Sequence, residues 1–153
     1  MILISPYAQK LLNSRENPKN YPYWDELISL LKKEHDEIIQ IGLPGEIKIN
    51  GVSEFKLRPS FNEIEKIVDN CEFWISVDSF LQHLIHNMKD RKPGVVLWSL
   101  SNPNIFGYNY NLNILKDPKY LRPDQYNIWE QAIYNPDAYL DAKTIYNLIK
   151  EKY

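Results

Sequence analysis

The chain has 153 residues, 44% of them hydrophobic and 25% charged, with a formal net charge of −2. That is the composition of one ordinary soluble globular domain with a core of its own, and it lacks the basic excess of a non-specific nucleic-acid binder. No apolar run approaches the roughly 18 residues that span a membrane, "MILISP" has no cationic lead for a signal peptide, and the lone Cys71 excludes an internal disulfide or a cysteine metal cluster. The expectation is a cytoplasmic protein with no metal or other cofactor.

"MILIS" (1–5) is a short buried-type run ended by Pro6, which predicts a strand. In "PYWDELISLLKKEH" (22–35), Trp24, Leu27, Ile28, Leu30 and Leu31 fall at helical spacing, with Pro22 near the first turn. "DEIIQIG" (36–42) reads as a second strand. "EIKINGVSEFKL" (46–57) holds one more, after a turn at Asn50-Gly51. Ser60, with Glu63 three residues later, has the spacing of a capping box for a helix over 61–71. "EFWISV" (72–77) is a strand, "SFLQHLIHNM" (79–88) a helix and "PGVVLWSL" (93–100) another strand. A loop (102–111) leads to "LNIL" (112–115), and the tail from about 124 to 152 reads as mostly helical, broken at Asn135-Pro136. Strands alternate with helices throughout. This predicts one doubly wound, three-layer α/β domain over 1–153 with a mainly parallel sheet.

In such a sheet, ligands bind outside the carboxyl ends of the strands, so three loops carry the candidate chemistry. The loop after the first strand (5–22) holds Lys10, Ser14, Arg15 and Lys19, cations suited to an anion beside a helix start. The favoured reading of this loop is nonetheless a solvated one with ordinary charges. After "WISV", Asp78 or Ser79 can cap the next helix through a side-chain oxygen. His83 lies four residues beyond Ser79, on the same face. His86 reads as a packing or surface residue. The third loop brings Ser99, Ser101 and Asn102 to the same edge. No GxGxxG, Walker A or GxSxG motif occurs, which disfavours the familiar dinucleotide and triphosphate sites.

Taken in order, "NPKNYPYWDELI", "IIQIG", "FNEIEKIVDNCEFWISVDSFLQHLIH" and "KPGVVLW" resemble the C-terminal half of family 9 glycosyltransferases, the heptosyltransferase-like enzymes. "KNYP" (19–22) is similar to the family's Lys-x-Trp-Pro element, with Tyr21 for Trp. "DSFLQH" (78–83) is similar to Asp-Thr-Gly-x-x-His, and "KPGVVLWS" (92–99) to Lys-Pro-x-Val-x-Leu-Phe-Gly. The resemblance spans residue 1 to about 115. It implies one Rossmann-like half of a GT-B fold that binds a nucleotide-sugar donor through the nucleotide diphosphate. It implies Lys19 on that diphosphate with Ser14 assisting, and Asp78, Ser79 and His83 facing diphosphate and sugar. Ser99 joins the donor-binding set.

Two departures stand out. Phe80 replaces the glycine that would let backbone approach a ligand closely. The family's N-terminal half, with its acceptor site and carboxylate base, has no counterpart, and Met1 directly before the first strand suggests a half that stands alone. Two functions then compete. One is glycosyl transfer from a nucleotide-activated sugar to an unknown acceptor, with Asp78 or Glu46 as base or with a homodimer mate or partner protein completing the cleft. The other is a non-catalytic nucleotide-sugar or nucleotide module, or an interaction protein with a decayed site. Tyr7, Phe80, Phe106, Tyr108 and Tyr110 are the aromatics expected at such a contact edge.

Overall fold

The computed structural model describes residues 1–12 and 15–153. Six strands form one sheet: β1 (Ile2–Ser5), β2 (Ile38–Gly42), β3 (Glu54–Leu57), β4 (Trp74–Val77), β5 (Val95–Trp98) and β6 (Leu112–Leu115). Their order is β3-β2-β1-β4-β5-β6, and every neighbouring pair is parallel. This is the strand order of the doubly wound nucleotide-binding folds. The inner strands read as continuous apolar runs because both of their faces are covered.

The sheet's two-residue period divides those runs between two cores. Ile2, Ile4, Ile75, Val77, Val95 and Leu97 pack under α1 (Trp24–Leu31) and α5 (Ala142–Lys152). Leu3, Ile39, Ile41, Trp74, Val96 and Trp98 pack under α2 (Phe61–Asn70) and α3 (Phe80–His86). Helix α2 starts as its sequence requires. The Ser60 hydroxyl accepts from the Glu63 N–H, and the Glu63 carboxylate accepts from the Ser60 N–H.

One segment keeps the expected turn at Asn50-Gly51 and another differs from expectation. The β2–β3 crossover contains no helix. Turn residues fill it, and Gly45 and Gly51 take positive φ values of 90° and 87°. The fully buried Gln40 holds this crossover in place of a helix: its Nε2 donates to Ile47 O (2.9 Å) and its Oε1 accepts from Ile49 N–H (2.8 Å). The tail is helical only from Ala142. Before that it makes two 3₁₀ turns, Trp129–Gln131 and Pro136–Ala138, the second opening with a proline, and Pro136 interrupts any longer helix. That irregular tail crosses the carboxyl edge of the sheet, where Tyr139 OH donates to Ser99 Oγ (3.0 Å) and Tyr21 OH to Leu140 O (3.1 Å). Among the described residues, no helix is long and apolar enough to cross a membrane.

Gln40 gives a direct stability test. Gln40→Leu keeps the bulk but strands a buried N–H and a carbonyl, so urea unfolding is expected to show a loss of about 2 kcal/mol with an unchanged slope.

Candidate functional site

The strand order reverses between β1 and β4. The chain leaves β1 toward one side of the sheet and β4 toward the other, so their loops diverge and leave a crevice. A cavity of about 450 Å³ lies there, lined among others by Tyr7, Lys19, Glu46, Asp78, Ser79, His83 and Trp129.

Lys19 reaches it from a built turn. Asn17-Pro18-Lys19-Asn20 closes with Asn20 N–H on Asn17 O (3.0 Å), and the Asn17 side chain accepts from Lys19 N–H (2.9 Å). Asn and Pro at these positions suit such a turn. Pro18 O is gripped from below by Ser99 Oγ (3.0 Å) and Tyr139 OH (3.3 Å). The Lys19 ammonium then sits 2.7 Å from Asp78 Oδ2 and 4.5 Å from the centre of the Trp129 ring. Both side chains of the ion pair are largely buried, at 14% and 9% exposed.

Asp78 ends β4, and its second oxygen accepts from Gln82 Nε2 (3.3 Å). With its carboxylate committed to Lys19 and Gln82, Asp78 does not cap α3. Neither does Ser79, whose buried hydroxyl has no partner among the described residues. The plain N-cap reading of Asp78-Ser79 is therefore corrected. His83 follows on α3, its Nδ1 2.9 Å from Tyr108 OH. Burial holds the His83 imidazole below its ordinary pKa, with Lys19 adding to the effect and Asp78 opposing it. His86 packs as expected, stacked on Tyr108 with ring centres 3.9 Å apart.

Lys19, Asp78, Ser79 and His83 are thus brought together. Ser99 is not exposed to the cavity's interior; it is 3% exposed and supports the Lys19 turn from beneath. Ser14 lies outside the described residues. Glu46 lines the cavity from the β2–β3 crossover, its Oε2 accepting from Leu43 N–H (2.9 Å). Burial raises its pKa. Gly42 permits this fold-back, since a Cβ there would stand 2.4 Å from Glu46 Oε2. Two contributors escaped the sequence reading. Trp129 comes from a tail read as helix. Gln82 was visible only as a polar residue between buried Leu81 and Ile85. The five aromatics also divide: Phe80 is exposed, Tyr7 and Phe106 pack against the two cores, and Tyr108 and Tyr110 stack with His86.

Fold and site together define a Rossmann-like parallel α/β domain with an open, charged crevice at its switch point, a fold that resembles one half of a GT-B fold. Comparison with family models, curated proteins and solved structures returns no match. The likeness to family 9 glycosyltransferases therefore rests on motif order alone. Among the described residues, no group of three or more His, Cys, Asp or Glu side chains could hold a metal ion.

The Lys19–Asp78 pair has a characteristic signature. Asp78→Ala strands a mostly buried ammonium and is expected to cost about 3 kcal/mol, whereas Lys19→Met combined with Asp78→Leu restores most of that loss. Chemical denaturation of both variants checks the asymmetry.

Proposed function

We propose that this crevice binds a nucleotide-activated sugar, with the diphosphate against Lys19 and His83, and presents it for glycosyl transfer. The observation that carries this reading is the convergence of Lys19, Asp78, Ser79 and His83 on one cavity at the β1–β4 switch point. That is where doubly wound sheets bind nucleotides. Lys19 supplies the charge, and a phosphate oxygen can share it with Asp78 through charge-assisted hydrogen bonds. The unpartnered Ser79 hydroxyl offers a further donor. The heptosyltransferase-like motif order supports the same ligand class.

Transfer needs a base for the acceptor hydroxyl. Asp78 is held by Lys19 and Gln82, which makes it a positioning group. Glu46 faces the cavity with its pKa raised by burial and one N–H engaged, placed to accept hydroxyl hydrogen bonds from the ligand. In this reading the base for transfer comes from across the rim, from a second copy or a partner protein. The rim exposes Leu43 and Phe80 beside the cavity, a surface such a contact would cover. Binding without turnover is the second reading, favoured by the engagement of both carboxylates. A transfer assay with the isolated chain, run alongside binding, separates the two.

Isothermal titration with UDP, ADP and GDP tests the site. Lys19→Ala is expected to weaken the bound diphosphate by at least about ten-fold, in keeping with one lost charge-assisted contact, and to leave the matching nucleoside unchanged. Equal losses for both would remove the phosphate role. A second expectation concerns protons. The free His83 is held neutral, and a neighbouring diphosphate favours the imidazolium. Binding should therefore take up protons, and affinity should rise as pH falls from about 8 to about 7. Titration in two buffers of different ionisation enthalpy measures the uptake, and His83→Asn should abolish it.

A further inference from the structure

We infer that Tyr108 is the positioning residue of His83: its phenol holds the imidazole by Nδ1 and leaves Nε2–H, a hydrogen-bond donor and not a base, for the crevice. This rests on the donor reading above, in which His83 meets the diphosphate, and names the side chain that sets how His83 does so. Tyr108 OH stands 2.9 Å from His83 Nδ1, and the two rings meet edge to face, 5.7 Å between centres at 76°. His83 lines the cavity with Lys19 and Asp78, and its Nε2 has no hydrogen-bond partner among the described residues.

The place of the proton follows from the two groups. Beside the lone pair of a neutral imidazole, a phenol is the better donor and the poorer acceptor, so its O–H points at Nδ1. A neutral ring carries one N–H, and the bond made at one nitrogen decides the state of the other. Nδ1 accepts, so Nε2 holds the proton. The other titratable groups that face His83 are Asp78 from the end of β4, Lys19 from the β1–α1 loop and His86 from its own helix. Asp78 engages its oxygens with Lys19 and Gln82, and His86 Nδ1 pairs with Tyr110 OH (3.3 Å). A phenol also suits the charged ring. When an anion draws a proton onto His83, it enters at Nδ1, the nitrogen that lacks one, and the same hydroxyl turns from donor to acceptor. A carboxylate in its place would favour the imidazolium before any ligand arrived.

Tyr108 is itself braced. Its ring lies on His86, 3.9 Å between centres and 10° from parallel, and Tyr110 continues the stack at 5.7 Å. Its carbonyl accepts from Asn113 Nδ2 (2.9 Å) and from Asn111 N–H (3.0 Å), and Asn113 Oδ1 accepts in turn from Trp98 Nε1 (2.8 Å). Asn113 stands on β6 and Trp98 ends β5, so two strands of the sheet fix the tyrosine. Gly107 permits the close approach: a Cβ there would stand 2.6 Å from Pro103 O and 3.0 Å from Asn113 Oδ1. The spacing of the two histidines gains a meaning from this arrangement. His83 faces the crevice, and His86, three residues on, supports the ring that orients it. Tyr108 lies in none of the four stretches whose order resembles family 9, so this support is a property of the chain's own loop.

Tyr108→Phe keeps the stack and removes the hydroxyl. Two-bond ¹H–¹⁵N correlation spectra of the ligand-free full chain at about pH 8, where a histidine is neutral, read the tautomer directly. The chain has 3 histidines, and His83→Asn identifies the signals of His83. The native chain is expected to show His83 in the Nε2–H form alone, and Tyr108→Phe a mixture of both forms at an unchanged melting temperature. Calorimetric titration with UDP, ADP and GDP should then find the variant binding diphosphate about two- to five-fold more weakly, because only part of its population presents the donor. His83 in the Nδ1–H form, or the same His83 spectrum in native chain and variant, overturns the positioning role. So does an unchanged diphosphate affinity in the variant. If the spectra behave as expected and no diphosphate binds the native chain, the donor reading falls and the hold of Tyr108 on His83 stands.

Discussion

The ion pair between Lys19 and Asp78 joins the two strands whose divergence creates the crevice. Taking an ammonium and a carboxylate largely out of water is expensive, and their attraction repays it only where further contacts complete the shell. Here they do. Gln82 donates to the second carboxylate oxygen, and the Trp129 ring faces the ammonium. Each of these partners belongs to a different element: the β1–α1 loop, the end of β4, helix α3 and the tail. The pair therefore fixes the mutual position of four segments that share no local sequence. Its charge is also the one a ligand would have to negotiate, since an arriving phosphate shares Lys19 with Asp78.

Below the pair lies a second set of supports with no charge at all. Pro18 O receives both the Ser99 and the Tyr139 hydroxyls, and Asn17 ties its own turn. A carbonyl gripped from two sides restricts the turn that carries Lys19. Preorganisation of this kind lowers the ordering cost of binding. Burial and the neighbouring Ser99 hydroxyl both act on Tyr139, and burial dominates, raising its pKa far above the usual phenol range. The phenol thus stays protonated and keeps donating.

What was legible in the sequence follows from how local each signal is. The runs ILIS, WISV and VVLW are strands because both faces are buried, and the Ser60–Glu63 box sets the start of α2 through contacts three residues apart. Lys19, Ser79 and His83 could be placed on one edge because a parallel sheet sends every strand's carboxyl end the same way. Contacts between distant segments were not legible. Nothing near Gln40 announces that it replaces a helix by pairing with Ile47 and Ile49. Nothing near Ser99 announces that its hydroxyl turns inward to Pro18, 81 positions away. Trp129 and the tail from about 124 to 141 were misplaced for the same reason: their conformation is set by the edge they cross.

One feature of the crevice floor runs against the rule that local choices agree with the fold. Ser5 and Ser76 are paired in register across β1 and β4, on the face covered by α3, and both are buried. The Ser76 hydroxyl, the Ser79 hydroxyl and Gln82 Oε1 are all buried without a hydrogen-bond partner among the described residues. Buried polar atoms are nearly always satisfied, and valine in place of Ser76 would give a drier floor. Three of the five buried unpartnered polar atoms among the described residues lie at the switch point, on β4 and at the start of α3, the other two being Asn111 Nδ2 and Arg122 Nε. Cost concentrated at one place is the pattern of a site whose polarity is used. It also explains why the Gln82 amide keeps its orientation: turned over, its oxygen would face the Asp78 carboxylate, so the nitrogen is held on Asp78 and the oxygen is left to accept from whatever donor the crevice receives.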